Sequence, residues 1–240
     1  MAYRFAPMKT LKMDVWSDIA CPWCYVGKRR LEAALAEFPH RDAVAITWHS
    51  FELDPSAPPV QPATPSYTER LAKKYGRSVA HAQGMIDNMT RVAAVDGLDL
   101  RFDRVRAGNT FDAHRLLHLA AAKGVQGTMK ERLLRAYMTE GESIGEPEVL
   151  TRLATEVGLD EAEVRAMLAG DAYSAEVRAD ESNARDIGIN GVPFFAVAER
   201  YGVSGAQPAE VLLEVLTKAW DDLAAAPETE GEVCGPDGCA

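Results

Sequence analysis

Nowhere does this 240-residue chain reach the roughly 18 consecutive apolar residues that a membrane-spanning helix needs. Its first dozen residues mix Tyr3, Arg4, Pro7 and Lys9 with few apolar side chains. The roughly 7–15-residue apolar stretch of a secretory signal is therefore missing. Positive charge is also short: 26 Lys and Arg stand against 36 Asp and Glu, a formal net charge of −10, and no basic stripe offsets it. That balance argues against nucleic acid or an anionic membrane surface as a partner. The densest cationic run, Lys28-Arg29-Arg30, falls on an expected helix and reads as a solvated face. No internal repeat is present, and cysteines number only four. With 47% apolar residues the chain is long enough to build a core without staples. The cytoplasm is the expected compartment, and thiols stay reduced there, so a close cysteine pair points to catalysis or metal binding.

Alternation of Leu11, Met13 and Val15 with polar residues predicts a strand over Leu11 to Ser17. Asp18-Ile19-Ala20-Cys21-Pro22-Trp23-Cys24 follows, then a helical pattern (Leu31, Leu35, Phe38) that Pro39 ends. Val44 to Leu53 alternates again as a second strand, and Pro55 to Pro65, with five prolines, is a loop and a boundary. From Ser66 to Asn183 the texture is helical, with about five or six short helices expected. Thr128-x-x-Glu131 is taken as a capping box, Pro147 as a first helical position, and Asp160-x-x-Glu163 as a further start. Strand signals return at Phe194 to Val197 and Tyr201 to Val203, and a last helix starts at Pro208. This order predicts an α/β scaffold split by an all-helical insertion.

Cys21 and Cys24 sit where a strand hands over to a helix. Unpaired N–H groups and the helix dipole stabilise a thiolate there, and the thiolate is the attacking species. Cys21 precedes the helix and is the expected, exposed attacker. Cys24, one turn in and more buried, is the expected resolving thiol. Pro22 suits the first helical position, where its missing N–H costs nothing, and Trp23 offers a flat apolar surface beside the sulfur. The same C-x-x-C spacing also serves zinc sites.

Gly191-Val192-Pro193 stands directly before the third strand. Strand–CPWC–helix, a helical insertion, then Asn190-Gly191-Val192-Pro193-Phe194-Phe195 resembles the DsbA-like thioredoxin family. Within it, Asn109-Thr110-x-x-Ala113-His114-Arg115-Leu116 and Ser182-Asn183-Ala184 are similar to the FrnE-like branch of cytoplasmic oxidoreductases. The likeness covers about residues 10 to 223. It implies a thioredoxin fold built from 10–65 and 184–225, a helical insertion domain over 66–183, and a C-terminal redox tail over 226–240. It further implies that Cys21 attacks, Cys24 resolves, Pro193 is cis, and the Val192 backbone pairs with a bound peptide. Related glutathione-dependent isomerases and kappa-class transferases carry serine at the first position, so both cysteines place this chain on the dithiol side.

The tail holds the second pair, Cys234 and Cys239, around Gly235-Pro236-Asp237-Gly238, a β-turn sequence that brings flanking cysteines within disulfide reach. This pair is expected to exchange with Cys21 and Cys24; a passive remnant is the bland alternative. His114 and His118 have a metal-binding i, i+4 spacing, but Arg115 stands where H-E-x-x-H would need glutamate. No metal is assigned, and His114 is carried as a candidate substrate contact beside its plainer reading as a packed histidine. Met85 and Met89 read as core rather than peptide groove. The function expected is that of a thiol–disulfide oxidoreductase or isomerase of protein and peptide disulfides. It uses no bound cofactor, only an external thiol reductant or oxidant. The competing reading gathers all four cysteines around one zinc ion in a partner-binding module.

Overall fold

The computed structural model describes residues 9–62 and 64–225. Strand β1 (Leu11–Ser17) leads into helix α1 (Pro22–Glu37), and a short 3-10 turn (Arg41–Ala43) leads into β2 (Val44–Ser50). Seven helices follow: α2 (Tyr67–Tyr75), α3 (Val79–Val95), α4 (Phe111–Ala122), α5 (Gln126–Arg135), α6 (Pro147–Glu156), α7 (Glu161–Ala169) and α8 (Ser174–Asp186). A π-helical turn, Ala136–Glu140, extends α5. The chain returns to the sheet as β3 (Phe194–Val197) and β4 (Tyr201–Ser204), and α9 (Ala209–Ala225) closes the described part.

The sheet order is β2-β1-β3-β4, with β1 parallel to β2 and antiparallel to β3. β1 is thus hydrogen-bonded on both sides, and its second half is buried on both faces because a layer packs against each. Because side chains alternate across a strand, Leu11, Met13 and Val15 point to one face and meet Leu31, Phe38, Leu212 and Leu216 of α1 and α9. Trp16 points to the other face, against Ala184 and Ile189. The inserted helices have their own large core, which reaches back to include Ile19, Tyr25 and Val26. The start of α1 is therefore packed between two cores, and that is where the cysteine pair lies.

Several local expectations change. The insertion has seven helices and a π turn rather than five or six helices. Thr128 lies inside α5, and the capping box is instead Ser66 with Glu69, each side chain bonded to the other's backbone N–H at the start of α2. Pro147 does open α6, and Asp160 accepts the Glu163 N–H at 2.8 Å to open α7. β2 stops at Ser50 rather than Leu53, since the Leu53 N–H leaves the ladder for a carboxylate oxygen of Asp18 at 2.9 Å. The cationic run on α1 is not a solvated face. Lys28 and Arg29 grip Glu131 of α5, and Arg30 reaches Asp96 at 3.0 Å and the Ala206 carbonyl at 2.6 Å. These ion pairs bolt the insertion to α1. The proline-rich connection is held along 107–109 by Gln61 N–H to Ala107 O and Asn109 N–H to Pro58 O, both 2.9 Å. Pro59 lies so close to Gly108 and Gly145 that a Cβ at either would overlap its carbonyl.

Candidate active site

Cys21 is the N-cap of α1, with extended backbone (φ −96°, ψ 112°), and Pro22 follows in the first turn. No side chain caps the helix, so the donors of its first turn face the Cys21 region. Cys21 is only 5% exposed, so the attacker expected to be exposed is buried, and its thiol donates to the Val192 carbonyl at 3.6 Å. The Val192–Pro193 bond is cis, as the resemblance implied, and a second cis bond precedes Pro65. Among the described residues the Val192 N–H has no protein acceptor. Gly27 lets this loop approach: a Cβ there would stand 2.8 Å from Pro193 Cγ and 3.2 Å from Phe195 Cζ. Cys24 is 1% exposed, and neither cysteine is in a disulfide. Burial, and then its neighbour Cys21, push the Cys24 thiol well above the ordinary value.

Cys21, Pro22 and Trp23 form one wall of a cleft of about 870 Å³. The facing wall comes from the insertion: Tyr67 and Leu71 of α2, Met85 and Met89 of α3, and Tyr137 of the π turn. Met89 belongs to the helical core and lines the cleft as well. Arg70, Lys73 and Lys74 add cationic groups to this rim, against Asp18 and Asp54. Trp23, 41% exposed, lines the same cleft as Cys21.

Asp18 ties the site together without capping α1. Its carbonyl accepts the Cys21 N–H at 3.4 Å, and its carboxylate accepts from Ala20 N at 3.3 Å and Leu53 N at 2.9 Å. Burial works to raise its pKa, but bonds from His114, Leu53 and Thr110 prevail and hold it below the usual carboxylate range. His114 is fully buried behind it, with Nε2 3.3 Å from Asp18 Oδ1. Burial lowers the imidazole pKa, against the opposing pull of the carboxylate. His114 does not line the cleft. In this structure it acts on Asp18, and the expected substrate contact gives way to a positioning role. His118 turns elsewhere, to Ser50 Oγ and Asp180, both at 3.1 Å, so the two histidines do not converge.

Sequence reasoning overlooked Lys130, which is fully buried on α5. The signal was present: Lys130 falls on the apolar stripe with Leu133, Leu134 and Tyr137, where a helix presents its core face. Gly27 was passed over for want of any pattern. Cys234 and Cys239 lie outside the described residues. A zinc ion shared with that pair would have to reach Cys24, which is almost closed to solvent.

Residues 12–217 match the DSBA-like thioredoxin domain family. The structure is similar to that of a probable DsbA oxidoreductase from Streptomyces coelicolor, with 48% identity and TM-score 0.85, covering 96% of this chain and 98% of that one. YwbO of Bacillus subtilis, an uncharacterized protein, is 27% identical over 210 residues, 87% of this chain and 96% of its own. The fold is shared with the cytosolic disulfide reductase DsbM of Pseudomonas aeruginosa, solved with GSH, at 20% identity and TM-score 0.60 over 86% of this chain and 99% of that one. With its cysteine pair at the mouth of α1, facing a cis proline, the chain belongs to the DsbA-like thioredoxin family of thiol–disulfide oxidoreductases.

Proposed function

We propose that this chain is a dithiol oxidoreductase and isomerase of protein and peptide disulfides, of the FrnE-like branch, working in the cytoplasm. The observation that carries this reading is the unequal placement of two thiols one turn apart. Cys21 stands at the helix mouth on a peptide-sized cleft, while Cys24 is shut in behind it. The Cys21 thiolate attacks one sulfur of the client disulfide, and the other client sulfur leaves as a thiolate and takes up a proton. Cys24 then attacks Cys21, the Cys21–Cys24 bond forms, and the second client thiolate departs. The client gains two electrons and the pair loses them; the reverse sequence oxidises a dithiol. No bound cofactor enters this cycle: an external thiol or disulfide resets the pair. The Val192 N–H, which has no acceptor among the described residues, lies beside a carbonyl already facing the attacking sulfur and suits a client backbone. The apolar walls and the cationic rim of α2 suit extended peptide with acidic residues near its cysteine.

We further propose that Cys234 and Cys239 exchange with this pair, under a tight geometric limit. Lys9 Nζ donates to the Leu223 and Ala224 carbonyls at 3.0 Å, so α9 ends beside the start of β1, while Cys21 lies past its other end. Seven strand residues span roughly 20 Å. The nine residues from 226 to 234 reach at most about 30 Å when extended. Exchange through Cys234 within one chain therefore requires a tail drawn out to at least about two thirds of its full reach.

The test uses Cys21→Ser, Cys24→Ser and the double Cys234→Ser/Cys239→Ser with a disulfide-bonded peptide. Cys21→Ser loses exchange, Cys24→Ser accumulates a client mixed disulfide visible by mass, and the tail double mutant slows turnover. Wild-type exchange in Cys21→Ser, or no trapped adduct in Cys24→Ser, sinks the dithiol reading. Unchanged turnover in the double mutant removes only the tail from it.

A further inference from the structure

Next to the client cleft lies a second cavity, of about 850 Å³, that the exchange chemistry leaves unused. Its walls come from the proline-rich loop, the start of α2, the 102–107 loop and Glu140 of the π turn. Gln61, Tyr67, Arg70, Ile86, Phe102 and Ala107 line both cavities. The two are therefore neighbours across the Tyr67–Phe102 ring pair, whose centres are 5.1 Å apart. The π turn also serves both, with Tyr137 on the cleft and Glu140 on the cavity.

The walls are held in place by backbone bonds. Arg101 N–H donates to the Met138 carbonyl at 2.7 Å and Gln61 N–H to the Ala107 carbonyl at 2.9 Å, which pins the 102–107 loop at both ends. Gly141, at φ 76°, lets that loop come close: a Cβ there would stand 2.6 Å from the Arg104 carbonyl oxygen.

The charge of the cavity runs against that of the chain. Arg70, Arg104 and Arg106 line it, and among the described residues none of the three has a carboxylate partner. Arg70 donates from one Nη to the Pro62 carbonyl at 2.9 Å, and its Nε is buried without an acceptor. Two of the acids at the same place are already engaged. Arg101 holds Asp103 at 2.8 Å, and Arg132 and Arg135 hold Glu140 at 2.7 and 2.8 Å. Among the described residues Glu146 is the one lining carboxylate left without a cation. Three guanidiniums against one carboxylate leave positive charge in surplus, in a protein whose net charge is −10. Guanidinium forks bind carboxylates through paired hydrogen bonds. Because Arg70 lines both cavities, it carries the cationic rim of Lys73 and Lys74 over from the cleft.

We propose that this cavity is a second client subsite, taking an acidic segment of the client several residues along the chain from the cysteine under attack. The proposal deepens the exchange reading and rests on it. A chain engaged at Cys21 runs along the cleft, crosses Tyr67 and Phe102, and sets its Asp or Glu side chains against Arg104 and Arg106. The occupant is peptide rather than a free small anion, because the cavity shares six wall residues with the cleft that holds the attacking sulfur.

The experiment uses the full chain, an external thiol as reductant, and looped disulfide peptides that differ only in a run of four glutamates or four glutamines. The run stands on either side of the disulfide behind neutral spacers of zero to eight residues, up to roughly 26 Å when extended. The readout is the ratio of kcat/KM for the glutamate peptide to that for the glutamine peptide. A variant that merely folds poorly slows both and leaves the ratio alone. Arg104 and Arg106 are exposed, so each pair they make is modest. In wild type at about 0.02 M salt the spaced ratio reaches roughly three- to thirtyfold on one side of the disulfide, and it falls toward one at about 0.5 M. Arg104→Gln/Arg106→Gln brings the spaced ratio to about one but keeps the ratio at zero spacing, which Lys73 and Lys74 set. A spaced ratio of one in wild type, or one that survives the double substitution, overturns the inference. Calorimetric binding of citrate at these arginines with no peptide ratio above one also overturns it, and assigns the cavity to a small anion. Failure of wild type to exchange either peptide refutes the dithiol reading on which the subsite depends.

Discussion

A fully buried lysine with no carboxylate partner among the described residues makes a thermodynamic prediction: replacing Lys130 by methionine stabilises the protein. The ordinary lysine pKa of 10.5 drops to about 8 in the fold, chiefly through burial. That difference of about 2.5 corresponds to roughly 3 kcal/mol at 1.36 kcal/mol per unit. The folded pKa is depressed, so below about pH 8 both states carry the proton and the whole penalty weighs on the native state. As pH rises from about 8 to 10.5, the folded form gives up its proton first and the penalty fades. Lys130→Met therefore gains on the order of 2–3 kcal/mol at pH 7, about 4–12 °C in Tm for a chain of this size, and the gain shrinks toward zero by pH 10.5. Urea unfolding of both proteins from pH 6 to 10, compared at each pH so that other titrations cancel, measures it. A variant less stable than wild type at pH 7, or a difference independent of pH, refutes the reasoning. Lys130 would then be a paired structural charge.

Two further perturbations probe the frame around the site. Gly27→Ala gains up to about 1 kcal/mol of helix propensity but places a Cβ 2.8 Å from Pro193 Cγ. Overpacking of that kind costs about 1–3 kcal/mol, so the variant is less stable and slower in exchange, as denaturant curves and peptide turnover will show. His49 lies between Asp14 at 2.8 Å and Asp180 at 2.7 Å and stacks on Trp16; burial alone would lower its pKa, but the two carboxylates raise it. Its contribution to stability is full below the unfolded value near 6.5 and is lost as pH rises through the higher folded value. Unfolding midpoints of wild type should fall relative to His49→Gln over that interval, and parallel curves would count against it.

Local chemistry made much of this protein legible. Alternation placed β1 at Leu11–Ser17, and strand signals placed β3 at Phe194–Val197, both to the residue. Pro22, Pro147 and Asp160 announced helix starts through backbone rules that need no partner. Cys21 and Cys24 were legible because a C-x-x-C at a strand-to-helix junction has few other uses. Periodicity was weaker in the insertion, where short helices joined by single glycines blur into one another, and two ends were misjudged for lack of the partner that set them. β2 stops early on account of Asp18, a residue from another strand's loop.

Only the tertiary structure decided which groups surround the sulfurs. Asp18 and His114 are 96 residues apart, Lys130 and Ser17 are 113 apart, and the Cys21 thiol and Val192 carbonyl are 171 apart. No local propensity links such residues. Sequence by itself determined the strands, the helix mouth and the two thiols, since backbone sterics, capping and hydrophobic period act within a few residues. Folding decided what those thiols meet, since burial and charge depend on distances that only packing creates.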